Sequence, residues 1–180
     1  MKKSFLIVSV LVFACAKELP ELSQIIDDIP LEPNPIQSVI DLSGTPCDNG
    51  VAGIYPCLGY DLLAKISLET FGSEAANDNW GWVDPESGKE YVLSGLDDGT
   101  AFIDISDPKN PIFLGKLPTA TTVSPWRDIK VYENHAFIVS EAPEHGLQVF
   151  DLTRLRLLDE FQIFTSDASL TAFGSAHNIW

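Results

Sequence analysis

Tyr91-Val92-Leu93-Ser94, a turn, and then Gly99-Thr100-Ala101-Phe102-Ile103-Asp104-Ile105 form the stretch that decides the fold, because the chain writes it a second time. The second copy reads Ala136-Phe137-Ile138-Val139-Ser140, a turn, and then Gly146-Leu147-Gln148-Val149-Phe150-Asp151-Leu152. Val92 and Val139, Gly99 and Gly146, and Asp104 and Asp151 each stand 47 residues apart. A repeat of roughly 40–50 residues built from short strands marks a β-propeller blade. One blade cannot bury both of its faces, so it is made to stack on others. The expectation is an all-β chain, an incomplete β-propeller of about two blades.

Working outward from these copies, the hydrophobic pattern predicts strands at Tyr60–Ile66, Asn77–Val83, Glu90–Ser94, Thr100–Ile105 and Ile112–Lys116. In the second copy it predicts Trp126–Tyr132, His135–Ser140, Leu147–Leu152 and Leu157–Phe164. Turns are expected at Asp84-Pro85-Glu86-Ser87-Gly88-Lys89, where Pro fixes φ and Gly88 can take positive φ, and at Glu133-Asn134. Alternation assigns Leu147, Val149 and Asp151 to the core side of their strand, with the opposite set also largely apolar. Such two-sided apolar strands suit a sheet sandwiched between neighbours. Ser175-Ala176-His177-Asn178-Ile179-Trp180 echoes Pro125-Trp126-Arg127-Asp128-Ile129-Lys130, as if a third copy were beginning. The array is therefore expected to continue past Trp180.

Residues 1–14 read as an export signal: Lys2 and Lys3, then a short apolar run from Phe5 to Phe13. Val12-Phe13-Ala14-Cys15 resembles a lipobox, which would make Cys15 the lipidated first residue of the mature chain. Ala14-Cys15-Ala16 also fits ordinary cleavage before Lys17. Residues 15–46 read as a tether, broken by Pro20, Pro30, Pro33, Pro35 and Pro46 and kept wet by acidic side chains. The partial propeller is assigned to 47–180. Cys47 and Cys57 remain as an even pair in an exported chain, which predicts a disulfide. The location expected is exported, at the cell surface or secreted, with the membrane reached through the lipid.

The net charge of −15 argues against nucleic acid, whose phosphates need clustered Lys and Arg, and against docking on an anionic bilayer.

Several of these stretches together resemble the choice-of-anchor B family, bacterial surface proteins built from LVIVD-type repeats. The matching runs are Asn77-Asp78-Asn79-Trp80-Gly81-Trp82, Gly99-Thr100-Ala101-Phe102-Ile103-Asp104-Ile105-Ser106-Asp107-Pro108, Trp126-Arg127-Asp128-Ile129-Lys130-Val131-Tyr132 and His145-Gly146-Leu147-Gln148-Val149-Phe150-Asp151-Leu152. The resemblance runs from about Cys47 to the C-terminus. It implies a secreted or surface-attached propeller-like domain, and it carries no catalytic residues.

Three constellations are candidates for chemistry. His135, His145 and His177, with Asp97, Asp98, Asp128, Glu141 and Glu144, are the candidate set for a divalent metal, since imidazole and carboxylate suit such ions, and His145, Glu144 and His177 lead it. The competing reading is that the loop histidines are solvated and that His177 bonds a backbone carbonyl. Asp97-Asp98-Gly99 has the look of a calcium-loop fragment but lacks the further ligands, so a hairpin turn tolerant of left-handed φ is the better reading. Trp80 and Trp82 are read on opposite faces of one strand, one for the core and one to stack on a sugar or peptide. Ser106-Asp107-Pro108 and Asp151-Leu152-Thr153 read as equivalent positions, with a shared Asp-x-Ser/Thr capping the strand end. No nucleophile-elbow serine and no phosphate-binding glycine loop is present. The favoured function is a non-catalytic binding or scaffold module whose partner is a surface protein or glycan. No cofactor is expected. The rival is an extracellular metal-dependent hydrolase or oxidoreductase with its site at the propeller channel.

Overall fold

The structure, a computed structural model, describes residues 44–158 and 160–180. The export signal, Cys15 and nearly all of the tether lie outside the described residues. What is described is an all-β protein. A lead-in segment carries a small hairpin, β1 (Val51–Ala52) and β2 (Tyr55–Pro56), and one helical turn, α1 (Leu68–Phe71). Then come β3 (Ala76–Val83), β4 (Glu90–Leu96), β5 (Gly99–Asp104) and β6 (Ile112–Pro118). They form an antiparallel meander in chain order. A second meander follows: β7 (Arg127–Tyr132), β8 (His135–Ser140), β9 (Leu147–Asp151) and, after a detour, β11 (Ala168–Leu170).

The two written copies thus occupy equivalent strands. Thr100–Asp104 lies in the third strand of the first meander and Leu147–Asp151 in the third of the second. Equivalent glycines make equivalent contacts. A Cβ on Gly99 would collide with the carbonyl of Leu117 on the fourth strand, and one on Gly146 with the carbonyl of Leu170 on its own fourth strand. A strand-end cap forms in both copies, in the first from Asp104, two residues before Ser106: Asp104 accepts the Ser106 N–H and Asp151 the Thr153 N–H, each at 2.9 Å. The Asp84–Lys89 turn closes with Gly88 at φ 73°, and Glu133 takes φ 51° in the β7–β8 turn. Asp97-Asp98 does make the β4–β5 hairpin, yet neither residue is left-handed.

The sheets stack face to face, and the seam between them is the main core. Tyr91, Leu93 and Phe102 from the first sheet meet Ile129, Ile138 and Phe150 from the second, all buried. Phe102 and Phe150 stack at 4.4 Å between ring centroids. Phe164 stands edge-on to both, at 5.5 and 5.0 Å. Phe164 arrives by the detour. After β9 the chain makes a 3-10 turn, Leu152–Leu155, and crosses to the first sheet. There β10 (Gln162–Ile163) pairs parallel with β6, and the chain then returns to the second sheet as β11. The crossing straps the two sheets together. Arg156 adds a polar clamp: its guanidinium grips both carboxylate oxygens of buried Asp84, across 72 residues of sequence.

Four expectations are corrected. Tyr60–Ile66 is not a strand; it runs irregularly, with Leu62 bridging to Thr45. Its apolar residues serve the outer face of the first sheet, where Ile66 and Phe71 cover Leu96, Ala101 and Ile103. Leu157–Phe164 is a strand only at Gln162–Ile163, and in the other sheet, because Leu155 and Phe164 plug the seam rather than alternate along one face. On β9 the buried residues are Gln148 and Phe150, while Leu147 and Val149 are half-buried on the outer face. Finally, Trp80 and Trp82 share a face, since side chains two apart on a strand do so. Trp82 is buried against Tyr91 at 5.1 Å, and Trp80, nearer the strand start, stays 39% exposed.

The Cys47–Cys57 disulfide forms, as the cysteine count predicts. Lys116 secures the end of the lead-in segment. Its ammonium bonds the Phe71 carbonyl, the Ser73 hydroxyl and the Asp98 carboxylate.

Candidate functional site

The starts of β3 and β7 and the residues 177–178 border a polar cavity of about 310 Å³. Its walls carry Asn77, Asp78, Trp126, Arg127, Asp128, His177 and Asn178. The fold brings them together through one linkage used twice. Asp78 accepts the backbone N–H of Ile129 at 2.8 Å, and Asp128 accepts that of Ile179 at 2.7 Å, each reaching 51 residues ahead. Asn77 reinforces the first link by accepting the Arg127 N–H at 2.9 Å. A carboxylate that accepts a backbone N–H is a strong, directional hold.

Burial pushes the Asp128 carboxyl upward, but the Lys130 ammonium at 2.7 Å, the Ile179 N–H and the side chain of Asp78 outweigh it, and the net shift is down. Asp128 is thus held as an anion on the cavity wall. Trp126 is about half exposed, with His177 6.0 Å from its ring. The His177 imidazole bonds Glu141 at 2.6 Å, which fixes its orientation. The arrangement offers an indole face, two amides, two carboxylates and an imidazole, which suits reversible binding of a polar ligand. Among the described residues no serine, threonine or cysteine lines the cavity.

The structure places the candidate metal ligands as follows. Among the described residues no three His, Cys, Asp or Glu side chains gather as a ligand cluster. His145 is 1% exposed and spends both ring nitrogens. Nδ1 donates to the Gly146 carbonyl and Nε2 accepts from Arg127 Nη1, both at 3.0 Å. Glu144 is exposed, on the left-handed residue just before it. His177 bonds Glu141 rather than a carbonyl.

Of the tryptophans read as stacking residues, Trp82 is core. Trp80 faces an apolar groove of about 450 Å³ beside Tyr132, Phe137 and Trp180, with the Lys130 ammonium 4.6 Å from its ring centroid. Sequence reading passed over Trp126, Asn77 and Asn178 as site residues. The available signal was the echo of 125–130 in 175–180, which already set Asp128 beside Asn178 in register.

His145 carries a pH prediction. Burial, and the neighbouring guanidinium of Arg127, hold its pKa below the ordinary imidazole value, against the bond to Gly146. The unfolded chain takes up a proton near pH 6.5 that the folded chain refuses. Its contribution is therefore complete above about pH 6.5 and is lost as the pH falls toward the lower folded value. The thermal midpoint should drop between pH 7 and pH 5, and His145→Gln should flatten that part of the profile. An unchanged profile in the variant would show that His145 is not the group responsible.

No family model, no curated protein and no solved structure matches this chain. Among the described residues no helix is long and apolar enough to cross a membrane.

Proposed function

We propose that this chain is a non-catalytic binding or scaffold module, exported and displayed at the cell surface, whose two meanders are neighbouring blades of an LVIVD-type propeller. The observation that carries the reading is the repeated linkage. Asp78 holds the start of the second meander as Asp128 holds the residues that follow it. A device used twice at a 50-residue interval is how stacked repeats propagate, each unit supplying the seat of the next. The resemblance to choice-of-anchor B proteins agrees with this architecture and with surface display.

The ligand site in this reading is the cavity beside Trp126. An exposed indole with amides and carboxylates around it suits a surface glycan or a polar segment of a partner protein. The test is a binding screen of the purified chain against bacterial surface glycans and cell-envelope protein. Trp126→Ala is expected to weaken a hit at least tenfold and Trp80→Ala to leave it unchanged. The reverse ranking would move the site to the apolar groove.

Attachment to the membrane is assigned to Cys15. Labelling with radioactive palmitate is expected in the wild type and absent in Cys15→Ala. Equal labelling and membrane retention of the variant would favour cleavage before Lys17 instead.

A further inference from the structure

The seam between the sheets is apolar along most of its length, but one end is not. Arg127, on β7, is 2% exposed and reaches across to the first sheet, where its Nε donates to the Leu96 carbonyl on β4 at 2.9 Å. Gln148, on β9, does the same two strands away: its amide nitrogen donates to the Pro118 carbonyl on β6 at 3.1 Å. Between these landing points lies β5, whose Thr100 pairs with Gly95 on one side and Leu117 on the other. His145 closes the group by bonding Arg127 Nη1.

Three polar atoms of this group are buried and meet no partner among the described residues: Arg127 Nη2, Thr100 Oγ1 and Gln148 Oε1. The fourth such atom, Tyr91 Oη, belongs to the other end of the sheet, beside Asp104. Leaving a buried polar group unsatisfied costs about 1–3 kcal/mol, and more for a charged one. Three together at one end of a well-packed seam therefore call for a shared guest.

The chemistry of the three atoms selects the guest. Arg127 Nη2 only donates, Gln148 Oε1 only accepts, and the Thr100 hydroxyl does either. The amide of Gln148 cannot be turned to present its nitrogen, because that nitrogen already serves the Pro118 carbonyl. A guest must therefore both accept and donate, which excludes a halide or a bare carboxylate at this acceptor. The charge balance agrees. Among the described residues Arg127 forms no ion pair, and burial pulls its pKa down to about 10, but Asp98 and Asp97 in the β4–β5 turn already act on it through space. A neutral guest is sufficient.

We propose that this end of the seam is an internal hydration site: one or two ordered waters accept from Arg127 and Thr100 and donate to Gln148, tying β5, β7 and β9 together. Buried waters of this kind make about three hydrogen bonds each and belong to the structure. The apolar seam supplies cohesion without direction. The wet end, read by a guanidinium, an amide and a hydroxyl in fixed positions, would set the register at which the sheets meet.

The test is a high-resolution crystal structure of the disulfide-bonded chain, with a parallel bromide soak. The expected result is water density within hydrogen-bond distance of Arg127 Nη2 and Thr100 Oγ1, reaching Gln148 Oε1 directly or through a second water, and no anomalous peak. An anomalous bromide peak at Arg127 would replace the water with an anion site. Side chains bonded to one another with no density between them would abolish the site. Oxygen-17 relaxation dispersion supplies the measurement in solution. Wild type and Thr100→Ser should each retain a long-lived internal water that Thr100→Val loses. A Thr100→Val protein that folds and keeps the same count would also overturn the assignment.

Discussion

Phe102→Ala should lower the free energy of unfolding by about 3–5 kcal/mol, the cost of removing a large aromatic side chain from a closed core. Phe102 is fully buried and touches the two rings that join the sheets, Phe150 from the second meander and Phe164 from the strap. The loss is a large fraction of the roughly 5–15 kcal/mol that holds a typical domain folded. Chemical denaturation followed by tryptophan fluorescence measures it, since Trp82 lies in the same core. A change under 1 kcal/mol would mean that the seam collapses around the missing ring, and that the sheets are not held by this cluster.

Gly115→Val should cost nearly as much, by a different route. The strap passes so close to β6 that a Cβ on Gly115 would enter the space of the Gln162 carbonyl and the Phe164 ring. The collision is with backbone on one side and a core ring on the other, so neither can swing aside. The expected loss is roughly 3 kcal/mol, at the upper end for overpacking. Amide hydrogen exchange gives the discriminating result: the Phe164 N–H, bonded to the Lys116 carbonyl at 2.8 Å, should lose its protection in the variant while β7 and β8 keep theirs. Unchanged protection at Phe164 would show that the strap is not seated on Gly115.

The repeat itself was legible because its signals are local. The Asp-x-Ser/Thr caps and the Asp84–Lys89 turn each act within a few residues, so turn chemistry places them without the fold. The strap was not legible. Leu155 and Phe164 have the composition of a strand, and only their burial between two sheets shows that they are plugs. The inward face of β9 was misread for a related reason. Gln148 is polar, so alternation sent it outward, yet its amide has a carbonyl to meet across the seam at Pro118. The cavity was half legible. The echo between 125–130 and 175–180 gave the residues that share it, but only the long-range bonds of Asp78 and Asp128 show that they converge. His145 was singled out because a histidine beside a glutamate in a loop has the look of a ligand. Its actual partners, a guanidinium and its neighbour's carbonyl, leave no mark in the sequence.

Amide hydrogen exchange of the Ile129 and Ile179 N–H groups tests the repeated linkage most directly. Both should be slow in the wild type. Asp78→Ala should release Ile129, and Asp128→Ala should release Ile179 while leaving Ile129 protected. If Ile179 exchanges at the rate of an open chain in the wild type, or if neither substitution changes its own amide, the two meanders are not successive units of one stacked array.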